Sequence, residues 1–246
     1  MISLPIYVTG DSHIGLFYGE KGFVVGKNTP ATAYNLCAVE TESNGYRYLF
    51  DFLETVPKGG TVMMSYGEID CRNHIVRLHK KTGRPMEDLA DEIARRYAGV
   101  VSQVKGMGYE VIVWGVVPPT CCPTYPHMVG SLPQRLAATA HLNAAYVRHM
   151  APLGVPVVSI FERLLLPNGL TNPQYMSDGF HLKKLALPLA LAAIRAVCPP
   201  EVIEAWMNML PQAKTKSTYS VGVVCAKGNR PVWALLKMCP VTEHKL

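Results

Sequence analysis

The chain has 246 residues, of which 49% are hydrophobic and 17% charged. That composition excludes a disordered polymer and allows one sizeable core plus a further segment. The net charge is +6, from 24 basic and 18 acidic residues, and no Lys/Arg block long enough to form a nucleic-acid interface occurs, so no nucleic-acid partner is expected.

In chain order, short apolar runs rich in Val, Ile and aromatics at 4–9, 22–25, 61–65, 110–115 and 155–160 read as buried parallel strands. Helical spacing predicts helices over 46–55, 86–107, 132–150 and 182–197. The second repeats Leu89, Ile93, Tyr97, Val100, Val101 and Val104 and stops at Gly106-Met107-Gly108. The cluster Arg77, His79, Lys80, Lys81 and Arg84 reads as the solvated end of a helix. Strands alternating with helices predict an α/β fold: a three-layer α/β/α sandwich on a parallel sheet of about five strands. In such sheets chemistry collects beyond the C-terminal strand ends, so Ser12, residues 67–72 and residues 118–120 should share one rim. The composition changes after Cys198-Pro199-Pro200. The expected boundary leaves a domain over 1–200 and an extension over 201–246, with a helix at 201–210, a linker at 212–220 and short strands at 221–225 and 232–238.

The apolar run 185–197 is broken by Pro188 and Arg195 and is too short to span a bilayer. The N-terminus lacks a basic leader segment and reaches Asp11 early. The seven cysteines (Cys37, Cys71, Cys121, Cys122, Cys198, Cys225 and Cys239) form no regular framework. A reduced, cytoplasmic protein is the expectation. Cys121, Cys122 and His127 lack paired metal-ligand spacing and read as loop residues, so no metal is expected.

Candidate chemistry begins with Gly10-Asp11-Ser12-His13 directly after the first strand. A serine hydroxyl needs a base to act as a nucleophile, and Ser177-Asp178-Gly179-Phe180-His181 supplies one late in the chain. His181 can take the proton, and Asp178 can fix the ring's tautomer. The bland alternative is an Asp helix cap beside an incidental His. His13 adjoins Ser12, but neighbours on an extended chain point apart, so it is expected to line the pocket rather than serve as base. The third segment runs Ser65-Tyr66-Gly67-Glu68-Ile69-Asp70-Cys71-Arg72-Asn73-His74. Arg72 is expected to clamp Asp70 or to bind an anionic or polyhydroxylated substrate, with His74 nearby. The run 118–126 is Pro-rich and expected to wall the pocket. Residues 22–27 fall one residue short of a P-loop, no Gly-x-Ser-x-Gly elbow exists, and Gly106-x-Gly108 precedes a strand instead of following one.

Gly10-Asp11-Ser12, the loop Gly26, Gly67-Glu68-Ile69-Asp70 and Asp178-Gly179-Phe180-His181 together resemble the ordered blocks of the SGNH (GDSL-type) hydrolase superfamily. The resemblance covers residues 4 to about 198. It implies a flavodoxin-like sandwich and cofactor-free esterase, lipase, acetylesterase or acyltransferase activity. By position, it makes Ser12 the nucleophile, His181 the base and Asp178 the orienting acid, with the Ser12 and Gly26 amides as oxyanion donors. Gly67, Asp70, Arg72, Asp11, His13 and His74 complete the expected oxyanion and substrate-binding set. Ile69 stands where the family carries an Asn that completes the oxyanion hole, and losing one such donor typically costs about 10²–10³ in rate. Arg72, Asn73 or Asn28 could substitute. The Gly-Glu-Ile-Asp-Cys-Arg form is similar to a bacterial branch associated with surface glycans. The expected reaction is hydrolysis of a small acyl ester or O-acetylated carbohydrate through an acyl-Ser12 intermediate. The alternatives are acyl transfer on the same triad, and a non-catalytic glycan-binding or scaffold protein that keeps the fold.

Overall fold

A computed structural model describes residues 1–121 and 128–209. Cys122, His127, most of the Pro-rich loop, the linker at 212–220 and the strand candidates at 221–225 and 232–238 lie outside the described residues.

Five parallel strands form one sheet in the order β2-β1-β3-β4-β5. They are β1 Ile6–Gly10, β2 Phe23–Val25, β3 Thr61–Ser65, β4 Glu110–Trp114 and β5 Val157–Val158. The helices are α1 Gly45–Glu54, α2 Ile75–Thr82, α3 Met86–Gly106, α4 Leu132–Met150, α5 Leu187–Arg195 and α6 Pro200–Met209. Strand side chains alternate between two faces. Val62, Met64, Val111 and Val113 face α1, α3 and α4, where Leu49, Leu53, Tyr97, Val101, Leu142 and Tyr146 close one core layer. Ile6, Val8, Met63, Ile112 and Trp114 face the other way, onto Ile14, Phe17, Ala190, Ile194 and Trp206. Each such side chain taken fully out of water contributes about 1.5–3 kcal/mol, so both faces must be covered for the sheet to persist. This is the expected three-layer sandwich.

Local signals place the helix ends. Ser131 and Gln134 form a reciprocal capping box at the start of α4. α5 begins at Leu187, later than the expected 182. Pro188 has no N–H to donate and sits in a first turn, where none is needed. Residues Lys184–Ala186 form a separate 3-10 turn before it. β5 is shorter than the expected 155–160, being an edge strand that pairs only with β4. α6, in the segment that the composition sets apart, carries a buried Trp206 whose indole N–H donates to Lys21 O at 3.2 Å and whose ring meets Phe23 edge-on.

Strand order decides where a site can form. β1 has β2 on one side and β3 on the other, and the chain crosses over β1 between them. The C-terminal ends of β1 and β3 therefore open a crevice at the topological switch point. Gly10 and Ser65 pair across it, and a Cβ at Gly10 would run into the Ser65 carbonyl. Only glycine permits that approach.

Candidate active site

Ser12 stands immediately beyond the end of β1. Asp11 caps a 3-10 turn over Ser12–Phe17 by accepting from the His13 amide at 3.0 Å, so the chain is helical here and not extended. The Ser12 amide, at the start of that turn, has no acceptor among the described residues.

The second segment is an Asp-centred turn. Asp178 Oδ1 accepts from the Phe180 amide at 2.9 Å and the His181 amide at 2.7 Å, while Oδ2 meets His181 Nδ1 at 2.6 Å. With a carboxylate at Nδ1, the proton sits there and Nε2 presents a lone pair. Nε2 lies 2.7 Å from Ser12 Oγ, which donates to it. Partial burial opposes ionisation of Asp178. The amide and ring of His181 and the Phe180 amide outweigh that and hold its carboxyl below the ordinary range. The structure thus joins Ser12, His181 and Asp178 in one hydrogen-bonded chain across 169 positions of sequence.

Beside this chain lies a cavity of about 270 Å³ lined by Asp11, Ser12, Asn28, Thr29, Pro30, Ile69, Arg72, Phe180 and His181. Of the expected oxyanion and substrate set, only Asp11 and Arg72 reach its wall.

The other members need correction. The Gly26 amide is spent in the sheet, donating to Val8 O at 2.8 Å, and is not available to an oxyanion. Gly67 is buried with a positive φ of 118°, where a Cβ would collide with the Tyr146 hydroxyl, so it serves the turn out of β3. Asp70 is fully buried, outside the cavity lining, and accepts from the Ala33 amide at 2.7 Å and the Tyr34 amide at 3.4 Å. Burial pushes its pKa up to about 7. His74 ends a π-helical turn over Asp70–His74, away from the cavity lining. Burial and the charges of Arg77 and Arg72 lower its pKa. His13 is buried and does not line the cavity. Its Nδ1 lies 3.1 Å from Asp11 Oδ1 and its Nε2 2.8 Å from Phe180 O.

The expected Arg72–Asp70 clamp is also replaced. Arg72 Nε donates to both Glu68 oxygens, at 2.8 and 3.1 Å. The reason is local geometry: this segment is helical, so a residue faces its partner four positions back and not two. Arg72 also lies over the Phe180 ring, 4.9 Å from its centroid. Asn73 is absent from the cavity lining, leaving Asn28 and Arg72 as the polar side chains that could stand in for the Asn missing at Ile69.

Sequence reasoning missed the supports of the Asp178 turn. The Thr120 amide donates to Gly179 O at 2.9 Å, from the loop after β4. Lys184 Nζ donates to Leu16 O and Tyr18 O, both at 2.8 Å, and to Glu20 at 2.7 Å, tying the turn to the segment after Ser12. Neither residue carries a distinguishing motif. The only available signal was the expectation that residues 118–120 share the rim with Ser12.

No family model and no curated protein matches the chain. Solved structures do. A GDSL-like lipase from Bacteroides thetaiotaomicron is 18% identical with a TM-score of 0.53, over 81% of this chain and 88% of that one. A phospholipase A1 from Streptomyces albidoflavus is 13% identical with a TM-score of 0.52, over 80% of this chain and 100% of that one. A carbohydrate acetylesterase from Sinorhizobium meliloti is 15% identical with a TM-score of 0.51, over 80% and 100%. At these identities the likeness establishes the fold, which is that of the SGNH and GDSL-like hydrolases. Among the described residues no helix is long and apolar enough to cross a membrane, and no group of three or more His, Cys, Asp and Glu side chains could hold a metal ion.

Proposed function

We propose that the protein is a serine esterase that hydrolyses a small acyl ester, with an O-acetylated carbohydrate as the favoured substrate class. The observation that carries this reading is the Asp178–His181–Ser12 chain, with contacts of 2.6 and 2.7 Å, opening into a cavity at the sheet's switch point. His181 Nε2 takes the Ser12 proton as Oγ attacks the ester carbonyl, and Asp178 stabilises the imidazolium that forms. The tetrahedral oxyanion is met by the Ser12 amide and the Asn28 side-chain amide. His181 returns its proton to the leaving alcohol, and water then releases the acid by the same steps in reverse order.

The cavity argues for a small, neutral substrate. Its volume of about 270 Å³ suits a short acyl group with one sugar-sized alcohol. Its polar groups, Asn28 and Thr29, suit hydroxyls, and the Arg72 charge is already met by Glu68. That a GDSL-like lipase and a carbohydrate acetylesterase share the fold supports the same reaction class. The test is release of acid from a panel of nitrophenyl esters of rising chain length and from acetylated sugars. The folded wild type should turn over acetyl esters fastest and Ser12→Ala should be inactive. No turnover by the wild type, or equal turnover by Ser12→Ala, overturns the proposal.

Ile69 and the spent Gly26 amide favour a second reading, a binding protein that retains the fold. It predicts saturable binding of acetylated sugars by wild type and Ser12→Ala alike, with no acetate released by either.

A further inference from the structure

We propose that His13 is a positioning residue, which locks the peptide unit joining Phe180 to His181 against the Ser12 turn by donating from both ring nitrogens at once. The inference rests on the reading of Ser12 and His181 as nucleophile and base.

The argument starts from what the two nitrogens face. Nδ1 meets Asp11 Oδ1 at 3.1 Å and Nε2 meets the Phe180 carbonyl at 2.8 Å. Both partners are acceptors. A neutral imidazole has one N–H, so its other nitrogen would point a lone pair at an oxygen lone pair; only the imidazolium satisfies both contacts. The side chains of His13 and Asp11 are only 4% and 3% exposed, so water cannot replace either bond. Burial disfavours the charge, but the adjoining Asp11 carboxylate, helped by Glu68, outweighs it and pushes the His13 pKa up to about 9. The other groups around the ring are His181, with centroids 5.3 Å apart, and Tyr66, which lines the same small buried cavity; Glu68 itself pairs with Arg72.

The Phe180 carbonyl and the His181 amide belong to one peptide plane. His13 holds the carbonyl, and Asp178 Oδ1 holds the amide at 2.7 Å. The backbone that carries the base is therefore pinned at both edges, and a flip of that plane would break both bonds. The pin is anchored at residue 13, next to the nucleophile, so it fixes the base relative to Ser12 directly. A misplacement of about 1 Å in such an arrangement can cost about 10²-fold in rate.

The test uses the full chain. Histidine-selective ¹⁵N spectra near neutral pH should show one buried imidazole with both nitrogens protonated, assigned to His13 by its loss in His13→Phe. A singly protonated His13 overturns the proposal. In folded His13→Phe, the His181 amide should lose hydrogen-exchange protection, and fluorophosphonate labelling of Ser12 should slow about 10–100-fold at saturating reagent. Unchanged protection or a wild-type labelling rate overturns it. Wild-type labelling should also fall as pH rises through about 9, and that fall should be absent in His13→Gln, a change that a purely structural role would not produce. If His13→Phe does not fold, His13→Gln carries the same comparisons. If wild-type Ser12 is not labelled at all, the esterase reading fails, and the spectra and exchange data alone decide the lock.

Discussion

The two Asp–His pairs of this site are alike in chemistry and opposite in environment. Asp178–His181 sits at the rim, its side chains 45% and 32% exposed. Asp11–His13 lies beneath it, its side chains 3% and 4% exposed. At the rim the imidazole has a hydroxyl on its far side, 2.7 Å from Nε2. Below, the far side meets a carbonyl, and the ring holds its proton. On the proposed reading one pair transfers a proton and the other holds position, and the difference lies in what faces the second nitrogen.

The widest gap between the pairs should appear on substituting each carboxylate. Asp178→Asn removes the acceptor that fixes the His181 tautomer, and turnover of an acetyl ester should fall by about 10³–10⁴ with the fold retained. Steady-state kinetics beside a thermal melt checks this. Asp11→Asn should act on stability instead, because it leaves the buried His13 imidazolium without its counter-charge. A loss of about 3–5 kcal/mol in chemical denaturation is expected. If Asp11→Asn melts like the wild type, the pairs are not different in kind.

The pH dependence of stability sharpens the contrast. The folded-state pKa of His13 is raised from 6.5 to about 9, so its contribution is fully present below about 6.5 and is lost as pH rises through about 9. A shift of that size corresponds to about 3 kcal/mol. Denaturant midpoints should fall between neutral and alkaline pH in the wild type and fall less in His13→Gln. The smallest effect concerns the support behind the rim. Thr171 Oγ1 donates to Pro119 O at 2.5 Å in a buried setting, and Thr171→Val should cost about 1–2 kcal/mol while leaving kcat within a few-fold.

Much of this arrangement was readable before any coordinates. The apolar runs for β1, β3 and β4 and the periodicity of α3 and α4 carried the fold, because buried parallel strands and long amphipathic helices leave strong patterns. Ser12, Asp178 and His181 were readable because the strand order of such a sheet brings distant strand ends to one rim. The segment after β3 was not. Its acids, Arg and His stand out from an ordinary connecting loop but carry no helical period, and it forms a π-helical turn running into α2 that re-pairs Arg72 with Glu68. His13 is set aside as base in keeping with the structure, but its expected place in the cavity wall is not found, and an extended chain was assumed where the Asp11 cap starts a 3-10 turn. Gly26 fell to a hydrogen bond that only sheet register reveals. In each case the residue type was right and the local backbone decided its partner.

The central claim is that an early hydroxyl is activated by a late imidazole. Intact-protein mass spectrometry after fluorophosphonate treatment of the wild type and Ser12→Ala tests it most directly. The account predicts one adduct on the wild type, mapped by peptide digestion to Ser12, and none on the variant. A folded wild type that stays unmodified, or an adduct that survives in Ser12→Ala, would contradict it.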